Sequence, residues 1–330
     1  MSKIVTIGEL MLRLSTINNN RFVQSKSFDA CFGGSEANVA VSLSHFDNDA
    51  VFVSKLPNSE IGLAAIKSLK AEGVNTKYIL KDDNRIGLYY LENGNSLRTS
   101  KVIYDRKNSS MSLANVNDFD FKKIFEGASL FHFSGITPAL SSDCAKIILH
   151  ACKVAKEMGL LVSCDFNYRS KLWTLQQAKE VMLPLMEYVD IFIGSKYDII
   201  NCLGFDPKAD NEEEIYKEIA KHFSFKYIAS TKRDIINASH NKLSGFLFNG
   251  IKLFVSTEYD IHPIIDRVGT GDAFTAGIIH GILNYESTQK IIDFATASCA
   301  LKHSIPGDYN QVSEKEIFSL IDSGVGRIIR

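Results

Sequence analysis

The 330-residue chain carries 37 Lys+Arg against 38 Asp+Glu, is 45% hydrophobic and 23% charged, and so has the balance of an ordinary globular protein. A formal charge of -1 excludes a global field for nucleic acid or anionic membrane, and the composition excludes a disordered or fibrous chain. At roughly 150 residues per domain the length suits two domains or one large α/β domain carrying an insertion. The polar residue Glu9 interrupts the N-terminus early, and no run of about 18 apolar residues follows, so a cytoplasmic protein is expected.

In chain order, apolar runs of strand length at 4–8, 50–56, 129–134, 160–166, 189–194 and 226–230 predict buried parallel strands. Helical periodicity separates them at 35–46, 59–72, 143–158, 175–188 and 213–223, with Gly73 and Gly159 where terminating glycines belong. Such alternation predicts an α/β sheet. Strand-like alternation at 10–32, and at 85–92 and 98–106 around Asn93-Gly94, predicts a small antiparallel sheet acting either as a lid or as an edge or dimer contact. A later hairpin around Asn249-Gly250 predicts an antiparallel edge. No linker or repeat divides the chain, so one domain over 1–330 is expected, with the lid formed by about 10–32 and 85–106.

Six dispersed cysteines without a Cys-x-x-Cys pair predict reduced thiols, and eight histidines without His-x-x-x-His spacing give an imidazole-bound metal no support. The sharpest local signal is Asp266-Arg267-Val268-Gly269-Thr270-Gly271-Asp272, followed by an apolar segment with small residues at Ala273, Gly277 and Gly281. It predicts a glycine turn feeding a helix packed closely on the sheet, with N–H groups of Gly269, Thr270 and Gly271 presented to an anion. Neither a Walker A loop nor Gly-x-Gly-x-x-Gly is present. Asp272 is either the cap of that helix or a base taking a proton from a hydroxyl that attacks phosphorus.

This turn, together with Gly33-Gly34-Ser35-Glu36-Ala37-Asn38 upstream, resembles the two signatures of the ribokinase-like (PfkB) carbohydrate kinases, and the resemblance covers nearly the whole chain. It implies a three-layer sandwich with a mostly parallel central sheet flanked by helices, plus a β-sheet lid. It also implies ATP and Mg2+ as cosubstrate and cofactor, a small-molecule sugar partner, and Asp272 as base. Within the family the resemblance points to phosphorylation of the 6-hydroxyl of 2-keto-3-deoxygluconate. A kinase of fructose or ribose type and an inactive sugar-acid sensor are the alternatives.

Substrate contacts implied are Gly33, Gly34, Asn38, Tyr104, Arg106, Arg169 in Asp165-Phe166-Asn167-Tyr168-Arg169, and Asp308 in Gly307-Asp308-Tyr309. Strand alternation lets only one of Tyr89 and Tyr90 face that site, and Tyr89 is preferred. Arginine suits an acidic substrate because its planar fork matches a carboxylate, while a surface ion pair is the alternative for Arg169. The nucleotide is assigned to Asn167, Ser195, Thr231, Lys232, Gly269 and Gly271. Asp198 is read as a carboxylate outside the metal's first ligands, or as a helix-start charge. At 231–236 the chain lacks the glycines that relatives carry; Lys232 or Arg233 could meet phosphate there, and Arg233 is read as solvated. An exposed lid sheet predicts self-association into a homo-oligomer.

Overall fold

Strand and helix alternate along most of the chain in the computed structural model, which describes residues 2–323. The elements are β1 (Lys3–Ile7), β2 (Met11–Thr16), β3 (Phe28–Gly33), α1 (Ser35–His45), β4 (Asp49–Pro57), α2 (Glu60–Ala71), β5 (Ile79–Asp82), β6 (Gly87–Glu92) and β7 (Lys101–Asp105). They continue with α3 (Phe121–Ile124), β8 (Leu130–Ser134), α4 (Ser142–Glu157), β9 (Leu161–Asp165), α5 (Leu175–Met186), β10 (Ile191–Ile193) and α6 (Glu212–Phe223). The C-terminal part contains β11 (Tyr227–Asn237), β12 (His240–Phe248), β13 (Leu253–Val255), β14 (Tyr259–Ile261), α7 (Thr270–Asn284), α8 (Thr288–Lys302) and α9 (Glu314–Ser323).

The main sheet has the order β13-β12-β11-β10-β9-β8-β1-β4-β5, with β14 also on β12. From β5 to β11 every pairing is parallel, and β12 then turns the edge antiparallel. Continuous apolar strands such as Ile191–Ile193 are buried on both faces, as parallel strands require. One face packs on α4, α5 and α6 through Ile147, Met182 and Ile219, and the other on α1, α2, α7 and α8 through Val39, Ala65, Ile278 and Ala295. This is an α/β three-layer sandwich of the ribokinase-like type, with a second, smaller sheet. Helix starts follow their sequence signals: the Ser59, Ser141 and Asn211 side chains each accept an N–H from the first turn, and Gly73 and Gly159 adopt left-handed φ after α2 and α4.

The small sheet has the order β3-β2-β6-β7 and joins the two regions that break the alternation. Tyr89 on β6 is 4% exposed, whereas Tyr90 lies against Phe28, so the strand directs the expected tyrosine inward. Phe28 and Ile103 remain exposed on this sheet.

Three expectations are corrected. The small sheet, expected to be antiparallel, is mixed: β2 pairs antiparallel with β3, and β6 with β7, but β2 and β6 run parallel. The strand expected to end at 230 continues to Asn237 and forms a long hairpin with β12, pairing Lys232 with Ser244 and Arg233 with Leu243. Without glycine and with β-branched Thr231, Ile235 and Ile236, that segment extends rather than turns. The small-residue stripe of α7 packs mainly on α8, not on the sheet: a Cβ at Gly277 would meet Ala295 at 2.6 Å, and one at Gly281 would meet Ile291 at 2.7 Å. No helix among the described residues is long and apolar enough to cross a membrane.

Candidate active site

The two signature segments meet where the N-terminal ends of α1 and α7 converge. Gly269, with φ of 80°, occupies the capping position of α7, which places Asp272 inside the first turn. The alternative of Asp272 as helix cap is thereby excluded. Its Oδ1 accepts the Ser35 hydroxyl (2.9 Å) and its Oδ2 accepts Asn38 Nδ2 (2.7 Å). Burial pushes the Asp272 carboxyl above its ordinary range, and these two hydrogen bonds and Arg169 partly offset the rise. Asn38 Oδ1 accepts the Gly34 N–H (3.3 Å), so both ends of that amide are engaged within the protein. Asn38 also lines the cleft, so it orients Asp272 from within the site.

Together these residues line a cleft of about 840 Å3 shared by the small sheet and the main sheet, and 269–272 form part of its wall. The first N–H groups of α7 have no acceptor within the helix. A Cβ on Gly271 would meet nothing within 4 Å, whereas one on Gly269 would stand 2.1 Å from the Asp308 carbonyl oxygen. Gly271→Ala should therefore melt like the parent while its methyl obstructs these donors. Turnover is expected to fall by about 10²-fold, the effect of losing one donor to a transition-state anion. Gly269→Ala, strained by its positive φ, should lose about 1–3 kcal/mol of stability as well. Parallel thermal melts and turnover assays of the two variants check this separation.

On the side of the small sheet, Tyr104, Arg106, Tyr89 and Gly34 line the cleft, with Arg169 opposite; Gly33 lies beneath them, against the Asp308 carboxylate. Arg169 is exposed and its guanidinium makes neither ion pair nor hydrogen bond among the described residues, which removes the surface-pair alternative. Arg106 differs: its Nε donates to Glu9 Oε2 at 2.7 Å and a second nitrogen also pairs with that buried carboxylate. Its charge is neutralised by the protein, while its guanidinium sits 5.6 Å from the Tyr104 ring. Both expected arginines therefore line the cleft, but only Arg106 already has a carboxylate partner there. Asp308, expected to touch substrate, accepts the Tyr89 hydroxyl (2.6 and 2.8 Å) and Arg13 (3.0 Å).

The expected nucleotide contacts divide. Asn167 lines the cleft, and its Nδ2 donates to Ser35 at 3.3 Å. Ser195 instead borders a separate cavity of about 190 Å3, and its N–H and hydroxyl both donate to Asp198 Oδ2. Thr231 and Lys232 lie outside the cleft lining, with Lys232 exposed beside Asp234. Arg233, expected to be solvated, is the cation that reaches in: one guanidinium nitrogen donates to Thr270 Oγ1 (3.2 Å), and its Nε is buried without a partner. Alternation along an unbroken strand puts 232 and 233 on opposite faces, and the missing turn had concealed this. Arg267 lies nearby, donating to the Ala238 and Asn237 carbonyls, and neither arginine has an ion-pair partner among the described residues.

Asp165, the first residue of the Asp165–Arg169 segment, lines the cleft floor. Burial first, and then the charge of Asp272, raise its pKa to about 8. Because the unfolded carboxyl releases its proton near 3.8, this group should erode stability as pH rises from about 4 to 8 and have no further effect above. Asp165→Asn is expected to abolish that slope and exceed the parent in stability at pH 8 by on the order of a few kcal/mol; melting curves across this range measure it.

A buried carboxylate beside helix-end donors, at the carboxyl edge of a parallel sheet and beneath a small second sheet, is the arrangement that a phosphotransferase acting on a hydroxyl compound needs. Residues 1–315 match the pfkB family of carbohydrate kinases, and the chain belongs to that family. It is similar to the 2-dehydro-3-deoxygluconokinase of Thermotoga maritima, whose crystal structure superposes with a TM-score of 0.94 at 46% identity over 97% of this chain and 98% of that one. The 2-dehydro-3-deoxygalactonokinase of Haloferax volcanii is 31% identical over 99% of both chains. The 2-dehydro-3-deoxygluconokinase of Bacillus subtilis is 25% identical over 94% of this chain and 93% of that protein.

Proposed function

We propose that this carbohydrate kinase transfers the γ-phosphoryl group of ATP to the 6-hydroxyl of 2-keto-3-deoxygluconate, with the small sheet as lid. The observation that carries the acidic substrate is Arg169, a guanidinium at the cleft without a carboxylate partner among the described residues. A bidentate carboxylate would satisfy it, and a neutral sugar would not. Relatives named for 2-keto sugar acids support the same reading.

In this reading the sugar acid lies between Arg169 and Tyr104 with its terminal hydroxyl toward Asp272. Ser35 and Asn38 hold the Asp272 oxygens so that the carboxylate accepts the hydroxyl proton as attack on phosphorus begins. The N–H groups of Gly269, Thr270 and Gly271 face the charge that develops on the phosphoryl oxygens, and Arg233 with Arg267 adds positive charge for the nucleotide's phosphates. Both arginines lack a protein counter-ion among the described residues, which fits an arriving polyanion.

Mg2+ would neutralise phosphate charge during the transfer. The residues fit it in one way. No three acidic or imidazole side chains among the described residues cluster closely enough to bind an ion directly. Asp165, whose proton is retained partly through the charges of Asp272 and Asp198, marks an acidic corner in need of positive charge. Asp165 and Asp198 would hold waters of an ion otherwise bound by phosphate, the mode magnesium favours.

The test is ADP release with 2-keto-3-deoxygluconate, followed by phosphorus NMR of the product. Coupling of phosphorus to the C6 protons is expected. Phosphorylation at another hydroxyl, or ligand binding without turnover, would overturn the reading, the latter in favour of a sensor.

A further inference from the structure

Beneath the cleft lies a buried charge cluster that joins three distant segments. Arg13 on β2 is 2% exposed, and its guanidinium is fully engaged: Nε donates to Ser15 Oγ (2.6 Å), one terminal nitrogen to Asp308 (3.0 Å) and the other to Asp266 (2.6 Å). Asp266 begins the anion turn. Its Oδ1 accepts the Val268 N–H (3.0 Å) and its Oδ2 accepts the Gly307 N–H (3.1 Å). Asp308 also accepts the Tyr89 hydroxyl from β6, and its carbonyl oxygen lies where a Cβ of Gly269 would stand. Lys302, buried at the end of α8, donates to the Ile305 and Gly307 carbonyls at 2.9 Å each and completes two positive charges against two negative.

In the proposed reaction Arg13 and Lys302 neither bind substrate nor accept a proton. Yet Asp266 and Asp308 bracket Gly269 from both sides, and Arg13 holds both carboxylates from the small sheet. The fork geometry leaves little slack, because two carboxylates on separate segments must each meet a particular nitrogen of one planar group. A shift of β2 relative to α7 would strand a buried charge, a large cost that fixes the turn's place.

We propose that Arg13 is a positioning residue for phosphoryl transfer, which sets the 266–271 turn against the small sheet so that the sugar side and the phosphate side of the cleft stay in register. The proposal rests on the kinase reading of the cleft. Arg13→Lys keeps the charge and loses the fork, so kcat should fall about 10²-fold, the scale of a misplacement of roughly 1 Å, while both KM values stay within about threefold. Asp266→Asn should reproduce that loss, and the double variant should be no worse than either single one, since they break a single link.

A purely structural strap would lower the melting temperature and leave kcat per folded molecule unchanged; that result, or fully additive losses, overturns the proposal. If the parent proves to phosphorylate a different sugar, the series is read with that sugar, so an error over the substrate leaves this test intact. Should Arg13→Lys not fold, Ser15→Ala removes the acceptor of Arg13 Nε outside the cleft and keeps both ion pairs, with a smaller loss in kcat expected and a normal kcat contradictory. Amide hydrogen exchange reads the link without turnover: faster exchange confined to Val268 and Gly269 in the variant supports it, and unchanged exchange there overturns it.

Discussion

Asp272→Asn is expected to lower kcat by about 10²–10⁴-fold, the contribution of a positioned general base. The fold should tolerate it. Asparagine keeps the shape, the Ser35 hydroxyl can rotate to accept the new amide N–H, and one buried negative charge disappears. Because burial raises the Asp272 pKa, the parent's kcat/KM should decline as pH falls through a value above the ordinary carboxylate range, and the variant should lack this limb. Turnover measured against pH beside a thermal melt checks both statements. A near-normal kcat in a folded Asp272→Asn protein would remove the base assignment.

Arg169→Gln is expected to raise KM for the sugar acid by about 10–100-fold, corresponding to a charge-assisted hydrogen bond worth about 1.5–3 kcal/mol. Arg169→Lys should fall between, since it retains charge but not the bidentate fork. Neither change should move KM for ATP or the melting temperature, because Arg169 is exposed and unpaired among the described residues. Steady-state kinetics in both substrates decide it. An unaltered KM for the acid would transfer carboxylate recognition elsewhere in the cleft and weaken the case for an acidic substrate.

The parallel core and the anion turn were legible in the sequence for a physical reason. Strands buried on both faces are apolar nearly throughout, and a turn with left-handed backbone at Gly269 favours glycine, so both leave local marks. Tyr89 was legible for the same kind of reason, since strand alternation admits one of two adjacent tyrosines. What the sequence concealed lies in pairings between distant residues. Nothing local to Arg106 announces that Glu9, nearly a hundred positions away, neutralises it. Asn38 and Asp308 have the chemistry to bind a sugar, and only the fold shows them engaged by Asp272, Tyr89 and Arg13.

Arg233 is a different failure. Its strand was expected to stop at 230 because the apolar run stops there, and Arg233 was read as an ordinary solvated charge. The β-branched residues at 231, 235 and 236 were the available signal for an uninterrupted hairpin. An unbroken strand would have placed Arg233 and Lys232 on opposite faces directly. Asp165 and Arg13 had no comparable signal, since burial beside like charge and a fork between two carboxylates are properties of the assembled cleft.

The selection of an acidic sugar is the central claim, and a comparison of kcat/KM by coupled ADP release tests it most directly. The panel contains 2-keto-3-deoxygluconate, its galactonate analogue, fructose and ribose, each assayed with the parent and with Arg169→Gln. The account predicts that the parent prefers the acids by at least about tenfold and that Arg169→Gln erases the preference by depressing the acids alone. Equal or better turnover of fructose or ribose by the parent, with Arg169→Gln affecting all sugars alike, would contradict it.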